Sequence, residues 1–429
     1  MHILLRYLKT HERKIIMKKL SRFLATLLAL IMMFSLVACG ANPADTSNGS
    51  TAPAEGDTIR LGFVGPLTGD SAAWGIAQLK AIQIQVDKTN QNGGLLGKQI
   101  ELFYYDNRDE AVESVNATRK LIENDNVACI IGPNSSVCAL SMSSVCEEYQ
   151  VPMIATNCML ESVTIDDNGN VRPYTFRSIM IQKAYTKYLV DYLTENTDYQ
   201  TAACLYKLSD DQNVIIVQQF TEDWEATGRT VTCTETTASA DDVDFRAQLT
   251  KIIATNPDVI FTPFNYKQII LMAQQARELG FKGQFVGCDT WFQVNIPESA
   301  GEQVEGCVAI ASLDVNDPIL DPIKDEWQEY WGEIQTLEDG GTDPYYGYDS
   351  YMMFVKAVED ANATDAVSIR DALETLKDVQ GCVGLLSVDP ETHNPNRQLA
   401  IVTVSKKADG SGYEYQTLGT AFDGEITLK

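Results

Sequence analysis

The sequence predicts an α/β protein of two lobes, each a doubly wound parallel sheet with helices on both faces. Three observations carry that expectation. From Thr58 onward, short apolar runs alternate with longer stretches whose apolar residues recur at helical spacing. After "YTFRSI" the same alternation starts afresh. Strands alternating with helices give parallel sheets covered on both faces, and two such series give two lobes. The length, 429 residues, suits two sizeable domains at roughly 100–200 residues each.

Ahead of that body lies a leader. From Met17 the chain reads "MKKLSRFLATLLALIMMFSLVACG": a basic start, an apolar run over Phe23–Val37, then small residues. This is the layout of a secretory signal, too short and wrongly flanked for a stable membrane span, and it points to Met17 as the start. "LVAC" at Leu36–Cys39 resembles the bacterial lipobox. That resemblance implies a diacylglyceryl group on the Cys39 thiol, whereas an ordinary signal peptide leaves Cys39 incidental. Two acyl chains anchor a protein stably where one binds only marginally. Residues 1–38 are thus expected to be a lipoprotein signal peptide. Residues 39–57, "CGANPADTSNGSTAPAEGD", are poor in large apolar side chains and are expected to be a flexible tether.

In the first series "TIRLGFVGPL" reads as a buried strand. "AWGIAQLKAIQIQVDKTNQNGG" reads as a helix with Leu79, Ile82 and Val86 on one face and Gly93–Gly94 as its stop. "QIELFYYDN" is the second strand. "EAVESVNATRKLIEND" is a helix with Val112, Val115, Leu121 and Ile122 inward. "VACIIGP", "SSVCALSMSSVCEEYQ" and "VPMIAT" continue as strand, helix and strand. The second series has strands "TAACLYKL", "RTVTCTETT", "DVIFTPF" and "GQFVGCD". Its helices lie near 211–227 and over "DFRAQLTKIIATN" and "YKQIILMAQQARELG". "EGCVAIASL" follows, then helical stretches over 318–336, 345–362 and 366–377, and short strands and turns from Cys382 to Leu428.

Charge and missing motifs narrow the function classes. Seven of the 33 basic residues and one of the 59 acidic ones precede Cys39, so from Cys39 onward 26 basic face 58 acidic residues, net −32. Such a surface repels phosphate backbones, and no nucleic-acid partner is expected. No G-x-S-x-G, Walker A or H-E-x-x-H occurs. "GGLLGK" is too short for a P-loop, and "DDNGN" at 166–170 lacks the EF-hand register. The nine cysteines besides Cys39 (Cys129, Cys138, Cys146, Cys158, Cys204, Cys233, Cys288, Cys307, Cys382) include no C-x-x-C pair. Nine is odd for a secreted disulfide framework, most sit in apolar runs as small hydrophobes, and no pairing is assigned. No metal and no cofactor are expected. Any Ser–His–Asp triad after Cys39 has to use His393, in a turn-like "ETHNPN", so an extracellular enzyme is the weakest alternative.

Ligands of open α/β sheets bind beyond the carboxyl ends of the strands. Those ends are "GPLTGDSAAWG", "GPNSSVC" and "ATNCML" in the first series, and "KLSDDQN", "FNYKQ" and "CDTWF" in the second. Ser135 and Ser136 lie where a strand hands over to a helix. Free amide hydrogens and a serine hydroxyl there make either an anion site or a plain N-cap. Asn157 and Cys158 lie at the next strand end. Asp289 ends an apolar strand in the other series, as an ammonium partner or as a solvated turn carboxylate. Trp74 and Tyr266 sit at helix starts, as aromatic pocket walls or as cover for the core.

Several stretches carry a resemblance: "IRLGFVGPLTGDSAAWG", "NQNGGLLGKQIELFYYDN", "CIIGPNSSVCALSMSSVCEEYQVPMIATN", "YTFRS", "QARELGFKGQFVG" and "YYGYDSY". Together, from about Ile59 to about Thr417, they resemble the branched-chain amino-acid binding proteins of ABC transporters, the periplasmic-binding-protein type I family. The resemblance implies two lobes joined by a three-segment hinge, with crossings near 178–181, 309–313 and 391–397. Lobe 1 is then 58–179 plus 313–392, and lobe 2 is 180–312 plus 393–429. It implies a small ligand, an amino acid or related molecule, held between closing lobes and passed to ABC permease subunits. The protein then sits at the extracytoplasmic face of the bacterial membrane, anchored through Cys39. A sensor that presents its ligand state to a signalling receptor would use the same fold. By the same resemblance Ser136 matches a serine that binds the ligand carboxylate, and Asp289 stands where a glutamate usually holds the amino group. Trp74 matches an aromatic at the pocket wall, and Asn265 and Tyr266 fall in a segment that supplies an aromatic contact. Departures also occur. Met159 replaces a threonine that touches the ligand, Gln182 stands in place of an aspartate, "SDDQN" replaces a "YG", and Arg108 replaces a disulfide cysteine. The less polar edge at Cys158–Met159 points to a ligand with an apolar moiety.

Overall fold

The computed structural model describes residues 58–238, 242–292, 296–332 and 341–429. The leader, the tether and Cys39 lie outside them. The first series gives β1 (Thr58–Gly65), α1 (Ala72–Gln91), β2 (Gln99–Asp106), α2 (Ala111–Glu123), β3 (Cys129–Ile131), α3 (Ser136–Tyr149), β4 (Met153–Ala155) and β5 (Thr175–Arg177). The second gives α4 (Gln182–Asn196), β6 (Thr201–Lys207), α5 (Asp211–Ala226), β7 (Thr230–Thr237), α6 (Arg246–Ala254), β8 (Val259–Phe261), α7 (Tyr266–Glu278), β9 (Gln284–Gly287), α8 (Ile296–Val304) and β10 (Val308–Ala311). Then come α9 (Asp321–Trp331), α10 (Asp343–Ala361), α11 (Ala366–Glu374), β11 (Val379–Gly381), β12 (Gly384–Val388), β13 (Pro395–Arg397), β14 (Leu399–Lys406), β15 (Tyr413–Phe422) and β16 (Glu425–Leu428).

Two main sheets result. The first is parallel throughout, in the order β2-β1-β3-β4-β5. The second repeats that order as β7-β6-β8-β9-β10, all parallel, and continues through antiparallel β14, β15 and β16. The apolar runs explain the layering. Leu61, Phe63, Val64, Cys129–Ile131 and Met153–Ala155 are all buried, which a strand achieves only when helices cover both faces of its sheet. A small antiparallel ribbon, β11-β12-β13, adds Val379, Leu386 and Val388 to the first sheet's core. Helix α10 lies against α1, and Gly347 permits the approach, because a Cβ there would stand 2.6 Å from the Gln78 carbonyl oxygen.

The chain passes between the sheets three times: after β5, after β10, and between β13 and β14. The expected boundary at 392/393 falls in the turn leading into β13, which pairs with β12. Buried polar groups tie the first and third crossings to α10. Arg397 pairs with Asp349 at 2.9 Å and donates to the Ser178 carbonyl at 2.9 Å, while the Ser350 hydroxyl donates to that of Ser178 at 2.9 Å. Asp349 also accepts from the Cys382 amide at 2.7 Å.

The elements differ from expectation at four places. Val112, expected inward, is 70% exposed, because α2 turns Ser114, Ala117, Thr118 and Leu121 to the core instead. Helices α4 and α8 are additions. The inner face of α4 is built from Tyr185, Tyr188, Leu189 and Leu193 between polar neighbours, and α8 is short, carries Pro297 and kinks at Ala300. Helix α10 starts two residues before the expected 345, with Pro344 in its first turn, a position proline suits. In the tail β12, β13 and β16 are the short strands expected, but β14 and β15 run for eight and ten residues, and the apolar "LAIVTV" of β14 is buried beside β10. All nine described cysteines are free thiols.

Candidate functional site

In each sheet the strand order reverses beside the first strand of its series, β1 and β6. Crossovers leave that point toward opposite faces, so a crevice opens at the carboxyl ends. The two crevices meet in one cavity of about 970 Å³. Its first wall comes from residues following β1, β3 and β4: Trp74, Asn134 to Val137, Asn157 and Met159. Its second comes from residues following β6, β8 and β9: Lys207, Asp210, Gln212 and Asn213, then Pro263, Asn265, Tyr266 and Gln268, then Asp289 and Thr290. Thr342 and Asp343, at the start of α10, and Glu298 and Ser299 of α8 complete it.

Backbone constraints set the first wall. Gly132 leaves β3 at φ 103°, and a Cβ there would stand 2.0 Å from the Val64 carbonyl oxygen, so only glycine passes β1 at this point. Ser135 is the N-cap of α3, its hydroxyl accepting from the Cys138 amide at 3.4 Å. Ser136, the first helical residue, is buried and accepts from the Leu160 amide at 3.4 Å. The N-cap reading therefore describes Ser135, while Ser136 occupies the electropositive helix start. Asn134 is 7% exposed and its Oδ1 has no hydrogen-bond partner. Trp74, 45% exposed, stands over the cavity mouth.

On the second wall, Asn265 caps α7 by accepting from the Gln268 amide at 3.2 Å, which sets Tyr266 at the helix start. Asp210 caps α5, accepting from the Gln212 amide at 3.1 Å, and pairs with Lys207 at 2.9 Å. Asp289 is 5% exposed, and its Oδ1 accepts from the amide and the hydroxyl of Ser312, each at 2.9 Å. The Tyr185 hydroxyl lies 2.7 Å from that of Ser312. Burial, with the Asp289 charge adding to it, pushes the Tyr185 phenol well above its ordinary range. Beneath the turn, Trp291 donates to the Thr262 carbonyl at 2.8 Å and fills the space that a side chain at Gly287 would need.

Asp343 joins the walls. It is 4% exposed, and Gln78 donates to its Oδ1 at 2.5 Å, with the Thr156 hydroxyl 2.9 Å from the Gln78 oxygen. Burial pushes the Asp343 carboxyl up to about 7. The Gln78 bond works against this, and the charge of Asp289 adds to it. A side recess of about 60 Å³ at Asp289 is lined by Met159, Tyr185, Ile216, Pro263 and Cys288 together with the polar Gln182, Gln212, Asn213 and Thr290.

Of the sequence candidates, Trp74, Ser135, Ser136, Asn157, Asn265, Tyr266 and Asp289 line this one cavity, as do the departures Met159 and Gln182. Cys158 does not. It is fully buried, its thiol points 3.3 Å from the Pro133 carbonyl, and burial pushes the thiol pKa well up. The next strand explains this: Arg177 of β5 draws in the Cys158 carbonyl at 2.7 Å and so turns the side chain inward. His393 is buried against Phe176, with Nδ1 3.0 Å from the Thr175 carbonyl, and does not line the cavity. Asp343, Asn134 and Gln268 are lining residues that the sequence reading leaves unassigned. For Asp343 the available signal is the Thr-Asp-Pro triplet, a helix start ahead of "YYGYDSY".

The sequence matches the family described as "Periplasmic binding protein" over residues 58–410. It is 23% identical over 368 residues to a Leu/Ile/Val-binding protein homolog 2 of Brucella abortus, covering 83% of this chain and 93% of that one. The fold is similar to that of a branched-chain amino acid transporter substrate-binding protein of Streptococcus pneumoniae in complex with isoleucine. There the TM-score is 0.66 and identity 24%, over 84% of this chain and 99% of the other. It is similar too to a solute-binding protein of an ABC transporter from Rhodopseudomonas palustris in complex with 3,4-dihydroxybenzoic acid. For that pair the TM-score is 0.70 and identity 21%, over 85% and 98% of the two chains.

Proposed function

The chain belongs to the periplasmic binding protein family, and on that premise we propose that it captures a small solute between its lobes outside the cytoplasm and delivers it to the permease of an ABC importer. The observation that carries this reading is the shared cavity: each sheet supplies the carboxyl ends of its own strands to one space. A ligand touching both rims makes contacts in a closed form that an open form lacks, and such differential contact is what shifts a population toward closure. Ser136 at the α3 start receives a carboxylate, and Asp289 receives an ammonium. Trp74 and Tyr266 supply aromatic walls from opposite lobes. No residue is assigned a catalytic role. Among the described residues no helix is long and apolar enough to cross a membrane. Retention at the membrane falls to the lipid on Cys39, with the 39–57 tether giving the body reach.

The test is a thermal-shift screen of amino acids and aromatic carboxylates. A ligand at 100-fold its Kd stabilises the folded form by about 2.7 kcal/mol, so at least one compound is expected to raise the unfolding temperature clearly. If that compound is an amino acid, Asp289→Ala should abolish most of the shift, because removing one partner of a buried charge pair costs about 2–5 kcal/mol. A screen in which no compound shifts the protein contradicts this reading, and an amino-acid shift that Asp289→Ala leaves intact contradicts the role given to Asp289.

A further inference from the structure

Taking the cleft as the solute site, we propose that its ligand is an amino acid with a second, side-chain ammonium group, its two positive nitrogens partnered by Asp289 of one lobe and Asp343 of the other. Charge is the first support. Four carboxylates line the cavity (Asp210, Asp289, Glu298 and Asp343), and the one cation among the described lining residues, Lys207, is paired with Asp210 at 2.9 Å. No lysine or arginine among the described residues forms an ion pair with Asp343, although that carboxylate is almost wholly buried. A buried charge is held only when a partner offsets its lost hydration. Here burial and the facing Asp289 raise the carboxyl to about 7, a penalty that a cation between the two removes.

The second support is independent of charge. The Oδ1 of Asn134 and the Oε1 of Gln182, from opposite sides of the same cavity, are buried acceptors with no hydrogen-bond partner, and the Nε2 of Gln268 and the Oγ1 of Thr290 in the same cavity are also without one. The two acceptors suit ammonium donors, and the Gln268 amide suits a carboxylate, the two kinds of group an amino acid carries. The α3 start at Ser136 asks for an anion, which a bare diamine lacks and an amino acid supplies. Met159 and Trp74 provide apolar surface for a methylene stem, the part of a lysine-like side chain that packs while its head stays solvated or paired. A branched aliphatic side chain leaves Asp343 buried without a cation, and an aromatic carboxylate brings a further negative charge to a negative cleft.

Calorimetric titration of the full chain in detergent separates these ligands, using L-lysine, L-ornithine, L-norleucine, L-leucine, 1,5-diaminopentane and 4-hydroxybenzoate. L-Norleucine matches the lysine chain without its amine. A site built to bond a polar group discriminates strongly against the analogue that lacks it, so L-lysine or L-ornithine should bind at least about tenfold tighter than L-norleucine and than 1,5-diaminopentane. Asp343→Asn, nearly isosteric, should collapse the preference over norleucine. Norleucine binding as tightly as lysine in the wild-type protein overturns the proposal without reference to any variant. So does a lysine-to-norleucine ratio unchanged by Asp343→Asn in protein whose unfolding stays cooperative. Diaminopentane equal to lysine overturns the amino-acid assignment. If leucine or 4-hydroxybenzoate binds and the diamino acids do not, this inference falls and the solute-binding reading stands. If nothing binds, both fall.

Discussion

Asp343 decides the chemistry of the cleft at the scale of single residues. Its carboxyl titrates near 7 in the folded chain against an ordinary 3.8. Between those values the folded state holds the extra proton, so stability falls as pH rises through the window and is lowest above it. The full effect is up to about 4 kcal/mol. Asp343→Asn removes the titration. Relative to wild type, the variant should therefore be more stable at pH 8 and lose more than half of that advantage at pH 5, as read by urea unfolding at both values. An equal difference at the two pH values contradicts the buried-carboxyl assignment. The sequence leaves this residue unassigned because the helical pattern is read from 345, past the proline, whereas here Pro344 sits in the first turn of α10 and Asp343 opens it. Ser136 and Asp289 are legible for the opposite reason, since each lies within five residues beyond the carboxyl end of an apolar strand. Cys158 looks like a pocket residue by position alone, and only the pull of Arg177 on its carbonyl turns it away.

At the scale of elements, periodicity is enough to place β1 to β4, β6 to β9 and most helices, because buried parallel strands leave near-continuous apolar runs, whereas the three-residue β5 within "YTFRSI" is too short to show a pattern. Periodicity is insufficient where packing overrides pattern. The small residues Ser114, Ala117 and Thr118 form the inner face of α2, which apolar spacing does not reveal. Likewise the tyrosine-rich face of α4 carries polar tips that blur its period. The contact of α10 with α1 depends on Gly347, and it also brings Gln78 to Asp343. Gly347→Ala places a methyl 2.6 Å from a backbone oxygen. Overpacking of this kind costs typically 1–3 kcal/mol, so the unfolding temperature should drop by several degrees and ligand affinity should weaken with it. Unchanged stability would mean the two helices lie further apart than described.

For the whole molecule, two sheets with the same strand order turn their carboxyl ends to one space, and three crossings join them, the first and third linked through Ser178, Arg397 and Asp349 of α10. The doubled strand order follows from the sequence's doubled alternation. The meeting of the two rims does not, because sheet-to-sheet packing leaves no local pattern. Beyond the folded body, Cys39→Ser should move the protein from the membrane fraction to the soluble extracytoplasmic fraction, and continued retention would contradict lipid anchoring. The central claim is that one ligand touches both rims at once, and hydrogen exchange of the full chain tests it most directly. The probe is the compound giving the largest thermal shift. Amides at 134–137 and 341–343 should slow together with those at 207–213, 265–268 and 289–290. Protection confined to the rim of one sheet, or lying away from both, would contradict the two-lobed cleft as the binding site.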